Sequence, residues 1–187
     1  MMHRFAFVLA LIASPLAAQD FSAGSEAKSW NLYAEVPARF EAKVVDVLCE
    51  LTGDCPAECG AGTRQLGLIR SADDVMVLPM KNSQPAFTGA AEELVPFCNQ
   101  VIEVDGLMIE DEEIGASNIY LVQRIKAEDA DWIKANTWTK KWAQKYPEAK
   151  GKGPWFRRDP RVKDVIASEG YLGLGLEADV TYAEENF

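Results

Sequence analysis

Apolar and polar positions alternate in short blocks along the middle of the chain. Residues 40–51 place Val45, Val47, Cys49 and Leu51 on one side and Asp46 and Glu50 on the other, the pattern of a half-buried strand. Residues 52–62 interrupt it with glycine, proline and acid, and they carry Cys55 and Cys59. Two further strands, 64–70 and 75–81, flank Ser71, Ala72, Asp73 and Asp74, which read as a hairpin turn. Thr88 is placed to cap a short helix over 90–95 that Pro96 ends, with Cys98 just beyond. A last strand pair, 101–109 and 119–125, surrounds an acidic turn over 110–118.

Three strands, a helix and two strands is the element order of the OB-fold, a five-stranded, partly open Greek-key barrel. The pattern therefore predicts a mostly β domain over residues 38–127. The stretches VVDVLCEL, VPFCNQVIEVDGLMIE and IYLVQRI also resemble small exported OB-fold-like proteins, with a Cys-bearing first strand and an EVDG-bearing fourth. The resemblance covers about half the chain and implies a fold, not a catalytic residue. It also implies where ligands bind: on the face bordered by the first and last interstrand loops, here 52–62 and 110–118.

Beyond residue 127 the period changes. Trp132, Ala135, Trp138, Trp142 and Tyr146 recur at three- and four-residue steps, which predicts a helix over 129–146 with an aromatic stripe, stopped by Pro147. A glycine-rich stretch, 150–154, leads to Trp155, Phe156, Arg157 and Arg158. Asp159 as cap and Pro160 at the first position then start a second helix, with Val162, Val165 and Ile166 facing inward and Gly170 at its end. Over 171–176 leucine alternates with glycine, so Leu172, Leu174 and Leu176 share a side while Gly173 and Gly175 permit close backbone contact. Residues 128–187 are thus expected to form a helical extension of the barrel.

The first residues read as an export signal over 1–19. Met1 to Arg4 supply a weakly positive start, an apolar run follows from Phe5, and Pro15, Ala17 and Ala18 supply the small-residue region. That run is too short for a bilayer core of about 30 Å. With no second apolar stretch, the expectation is a periplasmic or secreted protein with no membrane span after cleavage, residues 20–37 forming a lead segment.

Charge divides the chain. The whole carries −10, and removal of Arg4 with the signal leaves −11. Between Lys134 and Lys163, however, ten cationic side chains face only Glu148 and Asp159, a net +8, which leaves −19 for everything else. The protein is an acidic body with one basic segment. Three readings fit that segment. Its tryptophans pack on the barrel with the lysines facing acid or solvent; or Trp138, Trp142, Trp155, Arg157, Arg158 and Arg161 form a docking surface for a protein partner, where Trp and Arg are favoured anchors; or it lies on an anionic membrane surface. Nucleic acid is not expected, because the barrel itself is acidic.

Four cysteines, Cys49, Cys55, Cys59 and Cys98, sit in a chain whose one histidine, His3, belongs to the signal. In an oxidising compartment the expected state is two disulfides. Spacing leaves their pairing open, with at least one long-range bridge to Cys98 expected. The alternative is a thiol-based copper or redox site at Cys55 and Cys59. The segment from Cys55 through Pro56 to Cys59 resembles the copper-binding loop of exported copper chaperones that serve oxidase assembly, a resemblance that implies a distant histidine ligand. The mature chain has none. Soft sulfur ligands suit Cu(I), and Met76, Met80 and Met108 lie on neighbouring predicted strands, although strand methionines more often fill cores.

Evidence for catalysis is thin. Without histidine beyond the signal, a G-x-S-x-G elbow or a phosphate-cradling glycine loop, the chain is expected to be a non-enzymatic, disulfide-stabilised binding or accessory protein with no cofactor. The acidic pairs, Glu92 with Glu93 among them, are expected to be solvated, and 110–113 lacks the alternating ligand pattern of an EF-hand.

Overall fold

In the computed structural model of the chain, residues 19–31, 34–62, 64–80 and 89–187 are described. Residues 1–18 of the expected export signal and the expected cap Thr88 lie outside the described residues. Strand β1 (Glu35–Asp46) is long enough, at 12 residues, to serve two neighbours. Its second half pairs antiparallel with β2 (Leu66–Arg70), from Ala42 opposite Arg70 to Asp46 opposite Leu66. From Glu35 opposite Ile109 to Lys43 opposite Val101 it pairs with β4 (Val101–Asp111). Strand β3 (Met76–Met80) forms a hairpin with β2 and then lies parallel to β5 (Ala116–Ala127), Leu78 opposite Ile119. Because β5 also pairs with β4, the order β3-β2-β1-β4-β5 closes on itself. The result is a closed five-stranded mixed barrel with an OB-like element order, followed by helices at the C-terminal end.

Alternation along the strands fills the barrel. Ala38, Phe40, Ala42 and Val44 of β1 meet Leu66, Leu68, Val77, Ile102, Val104, Met108, Tyr120, Val122 and Ile125 inside. Helix α2 (Gly89–Leu94), in the expected place between β3 and β4, adds the fully buried Leu94. The β4–β5 register shifts between Asp105 and Gly106. A side chain at residue 106 would collide with the Leu121 carbonyl, so glycine permits the strands to approach there. On the opposite face of β4, Leu107 and Ile109 join Met80, Leu121 and Ala27 in a second apolar cluster.

The lead segment packs on the barrel at both clusters, Ala27 against the second one and Phe21 against the main core. The Phe21 carbonyl accepts from the Arg39 amide at 2.7 Å, and its ring meets Phe40 edge-on at 5.6 Å. Lys28 and Gln123 bond reciprocally, the Lys28 amide donating to Gln123 Oε1 at 3.0 Å and Gln123 Nε2 donating to the Lys28 carbonyl at 2.8 Å.

Four local expectations change. The first strand ends at Asp46, and Val47–Thr52 is helix α1 instead of strand. Cys49 is therefore helical and not on an inward strand face, and Leu51 is 69% exposed. The cause is local: Asp46 accepts from the Cys49 amide as an N-cap, and Gly53 ends the turn in the left-handed region. The helix expected over 129–146 begins only at Trp138. Ile133–Lys134 instead forms β6, which satisfies the open edge of β5 at Arg124 and Ile125, and α3 covers Trp138–Lys145.

Helix α4 (Pro160–Glu169) starts on Asp159 and Pro160 as expected, but it buries no residue: Val165 and Ile166 are exposed. The alternating 171–176 stretch does not extend. Gly173 (φ 69°) and Gly175 (φ 99°) bend it, and it leads into helix α5 (Leu176–Asn186), which the Leu/Gly pattern did not signal. The helix-forming Ala and Glu residues of 177–185 are the signal that would have found it.

Candidate docking surface

Both bridges form around one carboxylate. Asp46, buried at the end of β1, accepts from the Cys49 amide through Oδ1 at 3.0 Å and from the Gly60 amide through Oδ2 at 3.1 Å. This anchors both ends of the first interstrand loop. Cys49 bonds Cys55 within that loop, and Cys59 bonds Cys98 across 39 residues, so the expected long-range bridge to Cys98 is present. Cys59 and Cys98 pack against the barrel core, whereas Cys55 is exposed. Cys55 and Cys59 thus have different partners, and no cysteine is free. Among the described residues no three His, Cys, Asp or Glu side chains gather in a metal-holding arrangement.

The two loops expected to border one ligand face stand apart. Loop 47–65 follows the C-terminal end of β1, while the β4–β5 turn adjoins its N-terminal end, since Glu35 lies opposite Ile109. A groove of about 470 Å³ elsewhere on the barrel is lined by Glu41, Glu103, Glu128 and Asp129 with Lys126.

Of the six residues expected at a docking surface, Trp138, Trp142, Trp155, Arg158 and, through Asp159, Arg161 come together. Trp138 and Trp155 have ring centroids 4.1 Å apart, and Trp142 lies 5.8 Å from both Trp155 and Tyr146. Trp142 is the buried centre of this cluster, 4% exposed, while Trp138 and Trp155 are half-buried at its edge. Arg158 stacks over Trp142 at 5.2 Å and donates to the Ala149 carbonyl, whereas Arg157 and Arg161 stand exposed. Beneath Arg161 lies Asp159, fully buried, accepting from the Trp142 indole and from the Arg161 guanidinium, each at 2.7 Å. The Arg161 hydrogen bonds, against the cost of burial and with help from Trp142, hold its carboxyl down to about 2.

The cluster is tied to the barrel at several points. Ala135 is fully buried in the main core. Glu93 on α2, expected to be solvated, is buried and accepts from Thr137 Oγ1 at 2.9 Å and Lys141 Nζ at 3.0 Å. Trp132 packs between two guanidinium groups of the barrel, Arg39 at 5.0 Å and Arg124 at 4.5 Å, and Arg124 is in turn held by the fully buried Asp105. Glu93 and Asp105 carried no sequence signal beyond sitting among apolar neighbours. On the outside, Lys134, Lys140, Lys145, Lys150, Lys152, Arg157 and Lys163 are exposed. These exposed cations flank the aromatic cluster along the chain, and Asp159 lies buried beneath Arg161.

Two disulfides and the lack, among the described residues, of a helix long and apolar enough to cross a membrane are compatible with an extracellular location. No protein-family model matches the chain, and no curated protein or solved structure matches it significantly.

Proposed function

We propose that this protein is an exported, non-enzymatic binding or accessory protein that docks onto an acidic partner protein through its basic, Trp-rich extension. One observation carries the reading: seven cations of the segment are exposed, while the two buried acids beside the aromatic cluster, Asp159 and Glu93, are taken up by Arg161 and Lys141. Cations already satisfied by their own fold would have little left for a partner; these face solvent. Steering by such a surface speeds encounter and falls with salt. Arg157 and the exposed edges of Trp138 and Trp155 are the expected anchors. The thiol-based copper or redox reading is supported by the exposure of Cys55 alone, and because Cys55 and Cys59 belong to different bridges it requires both to open.

The test is a double variant, Lys152→Glu with Arg157→Glu, used as bait against the exported protein fraction and against vesicles containing phosphatidylglycerol. Salt-sensitive capture of an acidic protein by the wild type, lost in the variant with its melting temperature unchanged, is the expected result. Equal capture by both forms overturns the proposal. Binding to the vesicles alone replaces it with the membrane reading.

A further inference from the structure

The C-terminal hairpin formed by α4 and α5 buries no residue in either helix. Val165, Leu172, Leu174, Leu176, Val180 and Tyr182 are exposed, Leu174 at 77% and Val180 at 58%. They are nevertheless held in place. The Asp179 carboxylate accepts from the amides of Tyr171 and Leu172, fixing the turn between the helices. An 11-residue helix with no packed face is marginal in water, because most helical stability in proteins comes from tertiary burial of an apolar face. Something is needed to cover this one.

Charge identifies the cover. Residues 164–187 carry six acids, Asp164, Glu169, Glu177, Asp179, Glu184 and Glu185, and no Lys or Arg. Glu177 and Glu185 rim an open groove of about 510 Å³ floored by Leu172, Leu174 and Tyr182. An anionic membrane would repel such a surface; a basic segment with aromatic edges complements it. The chain itself supplies that segment, the +8 stretch from Lys134 to Lys163. Within one molecule, among the described residues, ion pairs engage only Lys141 and Arg161 of its ten cations, with Glu93 and Asp159, and neither acid belongs to the tail.

We infer that the acidic, apolar face formed by residues 164–187 of one molecule docks on the basic segment of a second copy, and that the contact is reciprocal. Reciprocity follows from symmetry: a single head-to-tail contact would leave an acidic tail and a basic segment unsatisfied at the ends and grow into open chains, whereas a two-fold arrangement uses both pairs and closes. The inference shares with the proposed function only the reading of the basic segment as a docking surface, and it makes self-association a competitor of partner binding there.

Sedimentation of the full chain up to about 100 μM tests it. The expected result is a dimer that weakens at least about tenfold between roughly 0.02 and 0.3 M salt. Leu174→Asp with Tyr182→Asp, both at exposed positions, should give a monomer with unchanged far-UV dichroism and melting temperature. Glu177→Lys with Glu185→Lys should do the same, as should Lys145→Glu with Arg157→Glu. An equimolar mixture of these two charge-reversed proteins should recover the dimer, because each then carries the complement of both surfaces of the other. A monomeric wild type overturns the inference, as does a mixture that stays monomeric or a dimer that survives the hairpin changes and falls only on Glu41→Lys with Glu128→Lys. Loss of self-association with partner capture intact would leave the proposed function standing, so the two failures are separable.

Discussion

The indole N–H of Trp142 donates to the carboxylate of Asp159 at 2.7 Å, and both side chains are buried. Asp159 also caps α4 by accepting from the Arg161 amide at 2.9 Å. One carboxylate therefore starts a helix, satisfies the one polar atom of the central tryptophan and anchors a surface arginine. The basic extension is organised around a buried negative charge.

That charge gives the protein an acid-sensitive point. The Asp159 carboxyl is lowered from 3.8 to about 2, so its stabilisation is complete above about pH 4 and is lost as pH falls towards 2. Because Arg161 is well exposed to solvent, the contribution is about 1–2 kcal/mol rather than the full shift. Asp159→Asn should flatten the fall in stability over this window. Asp159→Ala should cost more at neutral pH, about 2–3 kcal/mol, because the buried indole N–H and the helix cap both lose their acceptor. Thermal unfolding followed by tryptophan fluorescence from pH 2 to 7 checks both; identical acid profiles for wild type and Asp159→Asn would count against the assignment.

The two disulfides should differ in weight. Cys59–Cys98 closes a separation of 39 residues and Cys49–Cys55 one of 6. Restriction of the unfolded chain then gives about 4 and about 2 kcal/mol respectively. Denaturant unfolding of Cys59→Ser with Cys98→Ser, beside Cys49→Ser with Cys55→Ser, measures the difference. Equal losses would show that loop length does not set their contributions.

Gly106 should not tolerate a side chain. A Cβ there would meet the Leu121 carbonyl oxygen, and backbone on a paired strand cannot swing aside. Gly106→Ala should destabilise by about 3 kcal/mol or more, at the upper end of overpacking costs. Gly115, in the neighbouring turn, has open space around it but a φ of 64°, so Gly115→Ala should cost only about 1 kcal/mol. Paired denaturant melts decide the order.

Asp105 should control the lead segment. Fully buried, it accepts from Ser25 Oγ at 2.5 Å, from the Glu26 amide at 3.0 Å and from Arg124 Nε at 2.7 Å. Asp105→Ala removes the acceptor from three donors and leaves Arg124 short of its buried partner. A loss of about 3–5 kcal/mol is expected. Hydrogen exchange should show protection lost first over residues 20–28, ahead of the barrel strands; uniform loss across the chain would mean that the segment and the barrel unfold as one.

Local patterns in the sequence were enough for the barrel. Period-two alternation, the turn over 71–74 and Pro96 after a short helix specify the strands and their order, and that order admits few closures. Asp159 with Pro160 marked a helix start from chemistry confined to neighbouring residues, which is why it could be read directly. Where a pattern had two solutions, only the folded chain chose. The alternation of 45–51 continues past Asp46, but the Asp46 cap and Gly53 turn it into helix. The aromatic spacing from Trp132 to Tyr146 is helical throughout, yet the free edge of β5 takes Ile133 and Lys134 as strand. The pairing of the cysteines, the burial of Asp105, Asp159 and Glu93, and the assembly of Trp138, Trp142 and Trp155 around one carboxylate depend on distances between residues remote in sequence. Such contacts leave no periodicity behind; closure of the barrel brought them together.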